Sequence, residues 1–233
     1  MAASVSLVIP AFNEGVTMAP VLERALAVLR ECVSDRELIV LDDASTDDTF
    51  QVIEQVRRAH PEIQLHRHDT NRGIAATFEE LYRLATKDFV FLISGDGQFP
   101  PELLRRCVPL LDTWDIVICR RTSKDYTPYR HLMSFCFRWG PRLLFGVDVY
   151  DPGSVKCVRR TIIRDVPVRS RSVFVEAERM IRAVKRGYRL TTIDIVQEPR
   201  RAGTAKGARL SLVLHATVDM LMCWWEIVVL KRR

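Results

Sequence analysis

Asp96 and Gln98 lie in Ser94-Gly95-Asp96-Gly97-Gln98, where the apolar run 89–93 stops abruptly. A carboxylate and an amide oxygen are hard ligands of the kind Mg²⁺ or Mn²⁺ takes. The glycines on either side of Asp96 let a bulky diphosphate approach the backbone. Two more polar clusters follow apolar runs in the same way: Asn13-Glu14 after 5–9, and Asp42-Asp43 after 37–41. Acids gathered in one place have two uses here. Some accept hydrogen bonds from a nucleobase and ribose, and others hold a cation that neutralises phosphate. The plainer account is that Asp42-Asp43 and Asp47-Asp48 cap the helix that follows. Asp47 and Asp48 are assigned that duty, while the two acids ahead of them exceed what capping needs.

Such residues work together only if the elements carrying them end at one place. Five apolar residues bounded by turn formers read as a buried strand of a parallel sheet, and ligands of open α/β sheets bind just beyond the carboxyl ends of the strands. Strands are expected at 5–9, 37–41, 63–66, 89–93 and 116–119. Between them lie helical patterns: Val21, Leu22, Ala25, Leu26 and Leu29; then Phe50, Ile53 and Val56; then 75–85 after the Asn71-Arg72-Gly73 turn; then a helix opened by Pro100-Pro101. This strict alternation up to about residue 120 predicts a doubly wound parallel sheet with right-handed crossovers. The second half is less regular. It offers a basic, aromatic segment at 122–146, a helix marked by Phe174, Ala177, Ile181 and Val184, a strand at 190–196, and a basic glycine-containing loop at 200–206.

With 233 residues and 48% hydrophobic content, the chain suits one α/β domain with a sizeable core. The net charge of +6 is mild, and no zinc-finger spacing or aromatic-basic RNA motif accompanies it, so nucleic acid is not the expected partner. Phosphate-bearing small molecules or an anionic membrane surface suit the excess better. The 6 cysteines form no Cys-x-x-Cys and read as reduced, buried thiols of a reducing compartment. No basic stretch followed by a long apolar core opens the chain, so no secretory signal is expected. Gly-x-Gly-x-x-Gly after the first strand, a P-loop and Gly-x-Ser-x-Gly are all absent. The histidines lack metal-site spacing around the acids, and His66 and His68, alternating along a strand, are expected at the surface.

Residues 208–230 are apolar and long enough to span a bilayer. At ~100° per residue, however, His215, Asp219 and Glu226 fall within a stripe of roughly 40°, which a single spanning helix would expose to lipid. Leu214, Leu221, Trp224, Trp225 and Val228 share a broad apolar face. An interfacial helix ending in Lys231-Arg232-Arg233 is therefore expected at 208–233, following a domain at 1–207. Packing on the domain's own core is the alternative.

Taken in order, the motifs resemble those of a family-2 glycosyltransferase of the GT-A fold, near the dolichol- or polyprenyl-phosphate sugar synthases. The matching pieces are Val8-Ile9-Pro10-Ala11-Phe12-Asn13-Glu14, Val40-Leu41-Asp42-Asp43-Ala44-Ser45-Thr46-Asp47, Asn71-Arg72-Gly73, Gly95-Asp96-Gly97-Gln98-Phe99-Pro100-Pro101, Asp151-Pro152-Gly153-Ser154 and the 200–206 loop. The resemblance implies that Pro10, Ala11, Phe12, Asn13 and Glu14, with Asp42, Asp43, Gly73 and Gly95, hold a sugar nucleotide. Asp96 and Gln98 would bind Mg²⁺ or Mn²⁺ on its diphosphate, and Asp151 would lie near the reacting centre. Arg121, Arg130, Ser134 and Arg138 would take the acceptor phosphate, and Arg200, Arg201 and Lys206 would close over the diphosphate. Three positions depart from the pattern. Ser94 stands where the family has the first Asp of Asp-x-Asp, Arg138 where the lipid-phosphate enzymes often have Asn, and Ser154-Val155-Lys156 in place of Ser-Gly-Phe.

The expected activity is inverting transfer of a hexosyl group from a nucleoside-diphosphate sugar to a polyprenyl phosphate, by an enzyme peripheral on the cytoplasmic face of a membrane. Two other readings stay open. One is a soluble glycan, peptide or metabolite acceptor, with Asp151 as base and the last helix as a packing or homo-oligomer element. The other, prompted by Ser94, is an inactive nucleotide-sugar-binding subunit.

Overall fold

Strand β1 (Val5–Ala11) buries all of its residues, and so does β4 (Phe89–Leu92), while β2 (Arg36–Asp42) is buried from Leu38 onward. Burial on both faces is what an inner strand of a helix-covered sheet requires. In the computed structural model, which describes residues 3–122, 139–151, 153–170, 172, 174–196 and 210–231, these strands are joined by β3 (Ile63–Arg67), β5 (Ile116–Arg121), β6 (Lys156–Arg159) and β7 (Leu190–Ile195). They form one seven-stranded sheet in the order β3-β2-β1-β4-β6-β5-β7. β1, β2, β3 and β4 are mutually parallel, as are β5 and β7, and β6 runs antiparallel to both of its neighbours. The sheet is mostly parallel, as the alternating pattern implies, and β6 makes it mixed. β6 was not anticipated: it is a run of four residues with Lys and Arg at its ends, which carries no strand signal.

Pro10 sits in an inner strand, where a missing N–H would normally break a ladder. The pairing of β1 with β4 ends at Val8 and Leu92, closed by the Ile93 N–H donating to the Val8 carbonyl at 3.1 Å. Pro10 therefore falls where that side of β1 has no ladder left to serve.

Helix α1 (Gly15–Cys32) buries Met18, Val21, Leu22, Ala25 and Leu29 against one sheet face. On the other face, α3 (Ile74–Leu84) packs Leu81 and Tyr82 against Val8, Ile39 and Leu92. Helix α2 (Thr49–Ala59) flanks α1. The helix expected after Pro100-Pro101 is instead broken into 3₁₀ turns around the short α4 (Leu104–Cys107). Pro109 lacks the N–H a longer helix would use.

A second core joins Ile116, Ile118 and Val158 of the sheet to α5 (residues 139–145), α6 (Arg160–Asp165), α7 (Val175–Lys185) and α8 (Leu210–Trp224). Ala216, Met220 and Cys223 of α8 are buried there, as is Ile227 in the wide turns 225–229 that extend it. Met220 Sδ would come within 3.0 Å of a Cβ at position 140, so α5 approaches α8 through a glycine. Two members of the polar stripe turn inward. Asp219 accepts from the Ser172 N–H at 3.2 Å, and Glu226 from Arg182 Nη2 at 2.6 Å and from Arg169. His215 stays exposed. Leu214, Leu221, Trp225 and Val228 of the apolar face point outward, with Trp224 half-buried. The helix thus packs on the domain through Ala216, Met220, Cys223 and Ile227, with Asp219 and Glu226 beside them, and leaves Leu214, Leu221, Trp225 and Val228 outside. Among the described residues, no helix is long and apolar enough to cross a membrane.

Candidate functional site

The carboxyl ends of β1, β2 and β4 frame a cleft of about 450 Å³. Pro10, Ala11, Phe12, Asn13 and Glu14 form one wall. Asp43, Asn71 and Gly73 form another, together with Ile74 and Thr77 of α3, and Ser94, Gly95 and Asp96 complete it. Three of the expected strand-end clusters therefore meet in one place.

Local hydrogen bonds fix the walls. The Asn13 N–H donates to Ser45 Oγ at 3.0 Å, Asn13 Oδ1 accepts from the Thr46 N–H at 2.9 Å, and the Glu14 N–H donates to Thr49 Oγ1 at 2.8 Å. Asn13 has φ +56°, in the left-handed region that asparagine tolerates better than most residues. Asp47 serves the start of α2 as expected, accepting the Thr49 N–H at 3.0 Å. Burial pushes its pKa up, but the Thr49 hydroxyl and N–H and the Gly15 N–H outweigh this and hold it below the usual carboxylate value. Asp48 lies against Gly15, where a Cβ would come 2.0 Å from its Oδ1, so any side chain at 15 would force the Asp48 side chain to move.

Asp42 and Asp43, adjacent in sequence, part company. Asp42 is fully buried: its Oδ1 accepts from the Ser45 N–H at 3.2 Å and from the Ser45 hydroxyl, and Oδ2 lies 3.1 Å from Arg67 Nε. It supports the loop behind the cleft and does not line it. Asp43 does line it. Its Oδ1 accepts from the Arg72 N–H at 2.8 Å and its Oδ2 from the Gly73 N–H at 2.9 Å. His68, expected at the surface, is buried beneath the same wall. Its N–H donates to the Asp42 carbonyl at 2.9 Å, which extends the β3 pairing by one residue and carries the ring inward. The available signal was its place at the carboxyl end of a strand, directly before the Asn71-Arg72-Gly73 turn.

Asp96 is nearly buried, and its Oδ1 accepts from Ser94 Oγ at 2.5 Å and from the Gln98 N–H at 3.0 Å. Gln98 does not line the cleft; it contributes this N–H. A Cβ on Gly95 would come 2.8 Å from Met18 Sδ and 3.1 Å from the Pro10 carbonyl, so the turn fits α1 and β1 only as glycine. Thr17 Oγ1 donates to the Gly95 carbonyl at 2.7 Å and pins it. No cluster of three or more His, Cys, Asp or Glu side chains suited to a metal occurs among the described residues. The oxygen donors that line the cleft around Asp96 are its carboxylate and the Ser94 hydroxyl. Mg²⁺ is commonly held through one or two carboxylates plus substrate phosphates, keeping several waters. The donor set therefore fits a divalent cation that arrives with a diphosphate, not one caged by protein alone.

Asp151 and Arg121 form a bidentate pair at 2.7 and 2.8 Å, with the Arg121 N–H 3.4 Å from Asp151 Oδ2. The guanidinium also lies 5.9 Å from the ring centre of Phe99, three residues after Asp96. Ser154 holds the segment to the end of β5: its Oγ donates to the Cys119 carbonyl at 2.5 Å and its N–H to the Asp151 carbonyl at 2.9 Å. Arg121 thus meets Asp151 directly, at the same sheet edge as Asp96. Arg130, Ser134, Arg138, Arg200, Arg201 and Lys206 lie outside the described residues.

Comparison with known proteins accords with this geometry. The chain is 28% identical over 229 residues to the undecaprenyl-phosphate 4-deoxy-4-formamido-L-arabinose transferase of Pectobacterium carotovorum subsp. carotovorum (strain PC1), covering 94% of this chain and 67% of that one. It is also 28% identical over 230 residues to the dodecaprenyl-phosphate galacturonate synthase of Rhizobium johnstonii (strain DSM 114642 / LMG 32736 / 3841), covering 93% and 65%. A solved structure of Mycobacterium tuberculosis glucosyl-3-phosphoglycerate synthase, in complex with Mn²⁺, uridine diphosphate and phosphoglyceric acid, aligns with a TM-score of 0.73. It covers 95% of this chain and 78% of that one, and at 18% identity it speaks for the GT-A fold alone. The family model described as Glycosyl transferase family 2 matches residues 6–165, and the chain belongs to that family.

Proposed function

We propose that the protein transfers a hexosyl group from a nucleoside-diphosphate sugar to a polyprenyl phosphate, with inversion at the anomeric carbon. The observation that carries this reading is the cleft, which brings the 10–14 loop and Asp43 to one side and Asp96 to the other. The first side suits a base and ribose, with Asp42 supporting the loop behind. Asp96 suits the diphosphate, with Gln98 as its neighbour. The names of the two curated relatives, both polyprenyl-phosphate sugar enzymes, support the acceptor.

The state of Asp151 favours a phosphate over a hydroxyl as nucleophile. A hydroxyl acceptor needs a base, and the carboxylate nearest that role has both oxygens engaged by Arg121. A phosphate monoester has a second pKa of about 6 and is largely dianionic at neutral pH, so it needs docking charge instead. Arg121, Arg130, Ser134 and Arg138 are the proposed dock, with Asp151 setting the Arg121 fork. One phosphate oxygen attacks the anomeric carbon as the bond from that carbon to the diphosphate oxygen breaks. The bonding pair leaves with the nucleoside diphosphate, and no proton moves. Arg200, Arg201 and Lys206 would stabilise that leaving group. A bound Mg²⁺ or Mn²⁺ would supply further charge neutralisation there. The outward apolar face of α8 would rest on the cytoplasmic face of the membrane that holds the acceptor.

The test is a panel of nucleoside-diphosphate sugars with polyprenyl phosphate and Mg²⁺ or Mn²⁺, reading nucleoside diphosphate release. Release that requires the lipid phosphate is expected. Release only with soluble hydroxyl acceptors would replace the acceptor, and no release with any donor would leave a binding subunit.

A further inference from the structure

The buried imidazole of His68 bridges two carboxylates from different elements. Its Nδ1 lies 2.6 Å from Asp43 Oδ1, and its Nε2 lies 3.1 Å from Glu80 Oε2 on α3. Glu80 in turn pairs with Arg72 at 3.2 Å, within the turn that grips Asp43, and with Arg83 at 3.1 Å. His68 is 4% exposed and is not among the residues lining the cleft, so it touches the wall from behind.

A lone aspartate is loosely oriented, because its terminal torsion is broad. Asp43 has its carboxylate plane set by three donors: the Arg72 N–H, the Gly73 N–H and the His68 ring. Two of these belong to the turn, and the third is anchored by α3 through Glu80. An acceptor fixed before binding loses less freedom when a ligand arrives.

We propose that His68 is a positioning residue. It holds the Asp43 carboxylate at the angle that receives the donor's nucleoside, and through Glu80 it ties that angle to helix α3. This rests on the reading of the cleft as a nucleoside site. The effect belongs in donor binding and not in the chemical step, since Asp96 and the Arg121–Asp151 pair are held by other groups.

Two substitutions separate positioning from simple packing. The amide nitrogen of asparagine falls near the Nδ1 position, and that of glutamine near Nε2. His68→Asn thus keeps the donor to Asp43, while His68→Gln keeps only the one toward Glu80. Calorimetric titration of uridine, cytidine, guanosine and adenosine diphosphates with Mn²⁺ into the full chain gives the reference affinity. The expected result is that His68→Asn stays within about 3-fold of it and His68→Gln loses about 10-fold or more, the scale of one lost hydrogen bond to a charged group. With the matching donor sugar, KM should rise in His68→Gln while kcat holds within about 2-fold. Equal affinity of wild type and His68→Gln, equal losses in both variants, or a fall in kcat alone would overturn the proposal and leave the nucleoside site standing. Failure of the wild type to bind any of the four diphosphates would overturn the nucleoside site itself, and this inference with it. Should His68→Gln not fold, Glu80→Ala removes the partially exposed anchor instead. It should weaken binding about 3-fold, and unchanged affinity would count against the proposal.

Discussion

Ser94 and Asp96 define how this site would handle a cation. The hydroxyl at 94 donates to the carboxylate at 96, so the position that resembles a first metal aspartate here orients the second. With one carboxylate, tight binding of Mn²⁺ should appear only when a nucleoside diphosphate supplies further oxygens. Titration followed by electron paramagnetic resonance should show weak Mn²⁺ binding alone and a marked gain on adding uridine diphosphate; equal binding in both cases would contradict this. Asp96→Asn should cut transfer about 100-fold or more, in the range for loss of one transition-state charge contact, while leaving the melting temperature within a few degrees. Gly95→Ala should do the reverse, costing about 1–3 kcal/mol in chemical denaturation because its methyl must displace Met18 or the Pro10 carbonyl. At this scale the sequence was readable where a polar residue ends an apolar run, as at Asn13, Glu14 and Asp96. It could not separate Asp42 from Asp43, because neighbours at a strand end point to opposite sides and nothing in a pair of identical residues says which side is the cleft. His68 was misread for the same reason. Alternation with His66 indicates a face but not what covers it.

Among the elements, β6 and α8 were hardest to read. β6 opens with Lys156, and that lysine is buried against Glu176 of α7 at 2.8 Å, with the Tyr82 hydroxyl donating to the same carboxylate oxygen at 2.9 Å. Burial pushes the Glu176 pKa up, but Lys156 and Arg179 outweigh it and hold the carboxyl below its ordinary value. Lys156→Met should therefore destabilise the protein by about 3 kcal/mol by removing the nearer of the two cations that hold that buried charge, and Lys156→Met with Glu176→Gln should recover much of the loss. Denaturant midpoints of the three proteins decide it. For α8, helical periodicity located the polar stripe correctly but could not say whether water or protein lay opposite. Arg182 and Arg169 supply the answer. Burial raises the Glu226 pKa, but the Arg182 hydrogen bond and both guanidinium charges lower it below the ordinary 4.5. A depressed carboxyl pKa contributes stability that is present above the ordinary value and lost as pH falls through the depressed one. Acidification below 4.5 should loosen α8 before the sheet, seen as a change in Trp224 and Trp225 emission ahead of the main unfolding transition.

At the scale of the whole molecule, most of the exposed large apolar side chains among the described residues lie on α8 and the turns that extend it. Leu221 and Trp225 are 50% and 54% exposed, so Leu221→Glu with Trp225→Glu should change folding stability little. The same pair should abolish co-sedimentation with phosphatidylglycerol vesicles. Unchanged sedimentation would refute a membrane role for this face, and a monomer replacing a dimer in light scattering would assign it to a second copy. The broad architecture was legible because strand and helix alternate in the first half, and alternation of that kind has few ways to close into a sheet.

The reversed direction of β6 carries a consequence for how such a protein can vary. Because it runs against its neighbours, its entrance, not its exit, lies beside the ends of β4 and β5. The segment between β5 and β6 therefore begins and ends at the cleft edge. It can lengthen, shorten or change chemistry while the register of β1, β2 and β4 stays fixed. One half of the molecule can keep its cleft while the other changes.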